Sequence, residues 1–347
     1  MNEPTSERLT ALPSESLLGE KLPKFSGTSA LVISPGRAQL AEQLLNLGQY
    51  QQASAWYLDL FSAATTASCI DPRVEVLCSA DLPDQSYDLV AMPVLTKSES
   101  ELTRDLMQQA HARLVLGGYL AMAVNHAGDQ WVHQQMQVMF PKVSCNRSMA
   151  GCVYWAQKHD ELKKVKSFQA EFSFRDDEHL IRAVSRPGVF AHRRVDVGAR
   201  QLMRSAEIGP QDHVLDMGCG SGTISLAAGK RTGGLVHAVD SNARAIECLK
   251  RSAEWNQLNN VCCHLNADGE LDLSQPVDVA LANPPYYGDD TIACHFVDVC
   301  IKNLRTGGAL LVVTKQPRWY HAYFQSKLEE IAIFESSSYF VCCGRKP

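Results

Sequence analysis

The sequence of 347 residues predicts an α/β fold in which a mostly parallel, doubly wound sheet occurs twice along the chain. Three observations lead there. Short apolar strands alternate with stretches of helical pattern, the alternation breaks once in a polar and charged run near residues 160–186, and landmarks in the two halves repeat at one spacing. Tyr87-Asp88-Leu89-Val90-Ala91-Met92-Pro93 matches the pattern of Val277-Asp278-Val279-Ala280-Leu281-Ala282-Asn283-Pro284, with Asp88 standing 190 residues before Asp278. At the same offset Gly117-Gly118 introduces one apolar strand and Gly307-Gly308 another. A common offset at two separated landmarks points to a duplicated domain, against the alternative of two unrelated α/β units that share common turns.

Residues 1–27, rich in Ser, Pro and Glu with scattered leucines, read as a lead-in rather than a packed element. Ala30-Leu31-Val32-Ile33 starts the first domain as a strand, Pro35-Gly36 turns, and residues 38–47 carry a helical pattern. Strand patterns return at 75–77, 87–91 and 118–124, with a helix-compatible stretch over 98–116. These place the first domain at 28–160. Asp160-Glu161-Leu162-Lys163-Lys164 and Arg175-Asp176-Asp177-Glu178 mark a polar linker over 161–185. Strands resume at 213–216, ending in Asp216, then at 235–240, 263–268, 277–282 and 309–313, which gives a second domain at 186–347.

A hydrophobic content of 45% with 20% charged residues excludes a disordered or collagenous chain. No window approaches ~18 consecutive apolar residues, and the start lacks the basic and apolar regions of a secretory signal, so a soluble, cytoplasmic protein is expected. The twelve cysteines include no Cys-x-x-Cys pair, and the doublets Cys262-Cys263 and Cys342-Cys343 would point to opposite faces of a strand. Reduced thiols and no metal site are expected. A net charge of -5 argues against gripping nucleic acid with the whole surface. Yet residues 181–205 hold Arg182, Arg186, Arg193, Arg194, Arg200 and Arg204 against the single acid Asp196, which reads as a local basic patch or as a solvated face.

The chemistry concentrates in the second half. Asp216-Met217-Gly218-Cys219-Gly220-Ser221-Gly222-Thr223 joins a strand to a helix, where glycines let the backbone turn sharply and bring helix-terminal N–H groups against a ligand. The spacing is not that of a dinucleotide loop, and the acid ahead of the glycines suits a ligand with a cationic amino group. Asp240 ends the next strand about twenty residues on, where an acid hydrogen-bonds a ribose diol. Asp268 ends a third strand, in position for an adenine amino group. Asn283-Pro284-Pro285-Tyr286-Tyr287 ends a fourth, and its prolines remove backbone donors while leaving carbonyl acceptors. A planar amine could donate to the Asn283 side-chain oxygen and the Pro284 carbonyl while Tyr286 stacks on the attached ring. Any one of these is also an ordinary strand-end cap or a rigid turn; the set at one sheet edge is what indicates a site.

Together these motifs resemble those of class I S-adenosylmethionine-dependent methyltransferases that modify amino nitrogens. Arg186-Pro187-Gly188-Val189-Phe190 and Val195-Asp196-Val197-Gly198-Ala199 further resemble the segment ahead of the glycine loop in bacterial ribosomal RNA guanine-N2 methyltransferases of the RsmC and RlmG type. The resemblance implies two tandem Rossmann-like class I methyltransferase domains, the N-terminal one degenerate. There Ser34-Pro35-Gly36-Arg37 stands for the glycine loop and Met92-Pro93-Val94-Leu95 for Asn-Pro-Pro-Tyr. It implies S-adenosylmethionine held by Asp216, Gly218, Cys219, Gly220, Gly222, Asp240, Ser241, Ala267, Asp268 and Asn283. Asn283, Pro284 and Tyr286 are then catalytic, and Phe190, Arg193, Arg194 and Tyr287 face the RNA. The implied partner is ribosomal RNA or a ribosomal subunit, with no membrane and with the chain acting as a monomer.

The implied reaction is methyl transfer to the exocyclic amine of a guanine flipped or unpaired from structured RNA. The chain departs from the family pattern in carrying Tyr286-Tyr287 where relatives have Phe followed by a histidine. Tyrosine at this place is common in enzymes that methylate protein glutamine or adenine, so a glutamine N5- or adenine N6-methyltransferase stands as the alternative. A non-enzymatic RNA-binding assembly factor is the alternative of a different class.

Overall fold

The computed structural model describes residues 12–285, 290–336 and 339–347. The chain divides into two compact units, one ending at Phe168 and the other beginning at Gln169. In the first unit, β1 (Ser29–Ile33), β2 (Gln52–Tyr57), β3 (Glu75–Cys78), β4 (Tyr87–Val94), β5 (Leu114–Val124), β6 (Ser144–Ser148) and β7 (Gly151–Gln157) form one sheet in the order β3-β2-β1-β4-β5-β7-β6. Its helices are α1 (Pro13–Gly19), α2 (Gln39–Asn46), α3 (Leu60–Ala67), α4 (Ser100–Arg113) and α5 (Trp131–Met139).

The second unit opens with an antiparallel hairpin, β8 (Ala170–Asp176) and β9 (His179–Ser185). Seven strands follow: β10 (Val214–Met217), β11 (Val236–Asp240), β12 (Val261–Leu265), β13 (Val277–Ala282), β14 (Leu304–Thr314), β15 (Glu329–Ser336) and β16 (Tyr339–Arg345). Their order is β12-β11-β10-β13-β14-β16-β15, the first unit's order with nine added to every strand number. The helices are α6 (Val197–Ser205), α7 (Thr223–Arg231), α8 (Ala243–Trp255), α9 (Asp290–Asn303) and α10 (Pro317–Gln325). In each sheet β1–β5 or β10–β14 run parallel and the last two strands join antiparallel. The expected duplicated α/β fold is the observed one.

Alternation along the strands explains why both faces of each sheet are covered. Val214 faces one core with Val236, Ala238, Val279 and Leu281, while Leu215 and Met217 face another with Val239, Ala280 and Ala282. In the first unit Val32, Ala55 and Ala91 lie on one side, and Leu31, Ile33, Val90 and Met92 on the other. The repeat extends to local detail. Pairing jumps from Tyr87↔Leu114 to Leu89↔Tyr119 in one sheet and from Val277↔Leu304 to Val279↔Ala309 in the other. Lys158 Nζ donates to the Leu114 carbonyl at 2.9 Å, and Lys346 Nζ to the Leu304 carbonyl at 2.7 Å. Asp88 accepts from the Ser29 amide, and Asp278 from the His213 amide.

Two expectations are corrected. The lead-in over 1–27 contains packed structure: α1 places Leu17 and Leu18 in the first core, and Leu22 and Phe25 follow them there. Four apolar side chains in a short Ser- and Pro-rich segment suffice to dock it, because each buried one contributes about 1.5–3 kcal/mol. Likewise, much of the linker placed at 161–185 is the hairpin β8–β9. Its charged tip hides an anchor, since Asp176 accepts from Arg231 Nε and Nη2 at 2.8 and 2.7 Å, and Arg231 Nη1 reaches the Met203 carbonyl at 2.7 Å.

Candidate active site

The glycine loop follows β10 directly. Gly218, Gly220 and Gly222 all have positive φ, at 77°, 52° and 78°. A Cβ on Gly218 would lie 2.6 Å from the Phe296 ring of α9, and one on Gly222 would lie 2.5 Å from Leu249 of α8, so helices on both sides close on bare backbone. Cys219 between them is buried, and burial first, then the nearby Asp240 and Asp216, push its thiol well above the usual range. It packs as a neutral side chain. Gly222 caps α7 in the left-handed conformation, which turns the first amides of that helix toward the loop.

Asp216 lies at the end of β10 on an otherwise apolar face and is fully buried. Its Oδ2 accepts from Ser225 Oγ of α7, whereas Oδ1 meets no hydrogen-bond partner among the described residues. Burial raises its carboxyl to about 7, opposed by the Ser225 hydrogen bond and reinforced by the charge of Asp240. An unsatisfied buried acceptor is costly in a protein interior. It fits a ligand carrying a cationic amino group.

Asp240 ends β11 and holds the loop: Oδ2 accepts from the Gly220 amide at 2.7 Å and Oδ1 from the Asn242 amide at 2.8 Å. Ser241 follows it at the start of the turn into α8. Ala267 and Asp268 lie in the turn after β12. There Asp268 Oδ1 accepts from the Glu270 amide and from Asn266 Nδ2, both at 2.9 Å, and these bonds hold its carboxyl below the ordinary range. Gly269 brings the turn against His295 and Val299 of α9. The same helix therefore backs both the glycine loop and this turn.

Asn283 and Pro284 leave the sheet at the end of β13. Because Met217 and Ala282 are register partners, Gly218 and Asn283 start from adjacent strand ends, about 4.8 Å apart for neighbouring strands. Asn283 Nδ2 donates to Asp196 Oδ2 at 3.1 Å. Tyr286 and Tyr287 lie outside the described residues.

The segment ahead of α6 borders the same edge. Arg186 pairs with Glu247 at 2.7 Å, the Pro187 carbonyl accepts from the fully buried Arg244, and the Gly188 carbonyl accepts from Asn242 Nδ2. These ties to α8 set Phe190, 54% exposed, against Gly220, whose Cβ would lie 3.4 Å away. Arg193 and Arg194 follow it and are exposed. Phe296, Ser225, Asn242 and Arg244 were not singled out from the sequence. Ser225 breaks an apolar run one turn into its helix, and Arg244 is a lone charge on a buried stripe, which were the available signals.

The first unit lacks this set, as its register proves position by position. Strand pairing carries Val32 onto Asp216, Tyr57 onto Asp240 and Pro93 onto Asn283, so that Pro93, and not Met92 as the sequence pattern suggests, holds the place of Asn283. In place of a ligand, Glu15 of α1 accepts from Ser34 Oγ and from the Ala38 amide at 3.1 Å in the loop after β1.

Residues 181–343 match the family model of the methyltransferase small domain. The chain is 26% identical over 290 residues to the ribosomal RNA small subunit methyltransferase C of Pseudomonas entomophila, covering 81% of this chain and 85% of that protein. It is 25% identical over 284 residues to the protein of the same name from Pseudoalteromonas translucida, covering 78% and 81%. Among solved structures it is similar to the 16S rRNA N2 G1207 methyltransferase RsmC of T. thermophilus, in complex with AdoMet and guanosine. That match has a TM-score of 0.79 at 21% identity, covering 97% of this chain and 92% of that one.

Proposed function

We propose that the chain is a class I methyltransferase of the RsmC type and that its second unit transfers the methyl group of S-adenosylmethionine to the exocyclic N2 amine of a guanine in small-subunit ribosomal RNA. The observation that carries this reading is the pairing of Met217 with Ala282, which brings the glycine loop and the Asn283-Pro284 acceptors to adjacent strand ends. When bound, S-adenosylmethionine supplies an electrophilic sulfonium methyl. Asp216 and Asp240 are the residues that would hold its amino group and ribose diol. Asn283 and the Pro284 carbonyl would accept the two N–H groups of the guanine amine, favour its pyramidal form and stabilise the positive charge that develops on nitrogen. Holding the reactants in register can remove roughly 7–11 kcal/mol of barrier, and no strong base is needed because the alkylated amine is acidic.

Phe190 offers an exposed ring for base stacking, and Arg193 and Arg194 offer charge for phosphate. The α/β character of the first unit counts against the glutamine alternative, whose enzymes carry a small helical domain there. Incubation with labelled cofactor and naked ribosomal RNA, small subunits or large subunits, followed by nuclease digestion and mass spectrometry, tests the reading. Label in N2-methylguanosine of small-subunit RNA is expected; label on protein or on adenine overturns it. Light scattering should give the mass of one chain, 38.2 kDa, and no helix among the described residues is long and apolar enough to cross a membrane.

The elevated carboxyl of Asp216 has a measurable sign. Pairing with an ammonium requires the carboxylate, so affinity for S-adenosylmethionine should fall as pH drops below about 7, by up to about tenfold per pH unit. Asp216→Asn should weaken binding and abolish that dependence, as titration calorimetry between about pH 6 and 8 would report. For the ligand-free protein, the folded acid keeps a proton that the unfolded acid gives up near 3.8. Its contribution to stability is therefore complete below 3.8 and lost as pH rises through about 7.

A further inference from the structure

Asp196 is the single acid among the six arginines of residues 181–205. It caps α6 by accepting from the Ala199 amide at 3.0 Å, and the same Oδ2 accepts from Asn283 Nδ2 at 3.1 Å. A carboxylate offers acceptors alone, so the end of the Asn283 amide that meets it is the nitrogen. The flipped amide would set oxygen against oxygen. The sequence therefore fixes which end of Asn283 faces α6, and with it which end is presented on the other side.

We propose that Asp196 is a positioning residue for methyl transfer, holding the Asn283 amide with its nitrogen toward α6 and its oxygen presented as acceptor for the substrate amine. The inference rests on the role given to Asn283 under the proposed function and adds a group that does not itself touch substrate. The first unit supplies an independent comparison. There α1 packs on α2, β5 and β7 as α6 packs on α7, β14 and β16. Its N-cap is Leu12, with no side-chain cap bond, 184 residues before Asp196, the offset that also relates Ala30 to Val214. The strand register puts Pro93 in the place of Asn283. That unit lacks both members of the pair, and its helix start is held from within the first turn instead, where Glu15 accepts from the Leu12 amide at 3.1 Å. Capping alone does not call for an acid at this place.

The test separates the cap from the reach. Asp196→Ser keeps a capping hydroxyl but is too short to reach Asn283, and Asp196→Asn keeps one oxygen able to accept from both partners. In Asp196→Ser, kcat on ribosomal RNA should fall about 10- to 100-fold, with KM for RNA and Kd for S-adenosylmethionine within about twofold and Tm within about 2 °C. Asp196→Asn should recover most of kcat. On an Asn283→Ala background the serine variant should cost nothing further, because Asp196 acts through Asn283. In amide NMR spectra the Asn283 side-chain protons should exchange slowly in the wild type and rapidly in Asp196→Ser. Full activity in Asp196→Ser, an equal loss on the Asn283→Ala background, or unchanged exchange of those protons would each overturn the proposal. A wild-type protein that modifies no ribosomal RNA refutes the functional reading instead, and the exchange measurement then still decides the amide's orientation.

Discussion

Asn283→Ala should lower kcat about 100- to 1,000-fold while leaving the dissociation constant for S-adenosylmethionine within about threefold. The size follows from what the side chain offers. Under the proposed function it would supply one of two acceptors for an amine whose lone pair is delocalised into a ring, at a strand end where Pro284 is buried and Asn283 half-buried. Stabilisation of charge that appears only as the new bond forms is lost from kcat, not from ground-state affinity. Asp216 and Asp240, the acids proposed to hold the cofactor, sit on β10 and β11, whereas Asn283 follows β13, so the truncation leaves them in place. Calorimetry with the cofactor and single-turnover transfer on RNA separate the two effects. Equal loss of binding and transfer would remove Asn283 from the chemistry and make it a wall of the cofactor cleft.

Asp240→Ala should act in the opposite sense, weakening S-adenosylmethionine binding at least about 100-fold, since hydrogen bonds to a charged acceptor are worth about 1.5–3 kcal/mol each. Saturating cofactor should then restore much of kcat. Part of the loss is expected to arise within the protein, because the same carboxylate holds the amides of Gly220 and Asn242. Asp240→Asn keeps one acceptor for the loop and should fall between the alanine variant and the wild type. Unchanged cofactor affinity in Asp240→Ala would refute the ribose assignment.

Much of this is legible in the sequence. The offset of 190 between Asp88 and Asp278 marks positions that sit in equivalent places of two identically ordered sheets, because the stretch from β4 to β5 is as long as that from β13 to β14. The glycine loop was equally legible, since positive φ and close helix approach leave few substitutes for glycine. What escaped were partners set by packing. Phe296 closes on Gly218 from a helix more than seventy residues away in sequence, and aromatic residues in helices carry no mark of the loops they cover. Asp196 read as a dissenting charge in a basic stretch; only the strand order brings β13 round to it. The short α1 was hidden by its composition, which resembles that of mobile termini, while four buried apolar side chains fasten it and the turn that follows it.

The lysine that clasps the start of β5 recurs at the start of β14, Lys158 on Leu114 and Lys346 on Leu304, whereas Val32 of β1 and Tyr57 of β2 stand where β10 and β11 carry Asp216 and Asp240. One polypeptide thus contains its own control experiment. The parts common to both units, strand order and lysine clasp, belong to the sheet; the parts present in one unit alone are those that the proposed reaction calls for. The first unit is the scaffold standing without the candidate site.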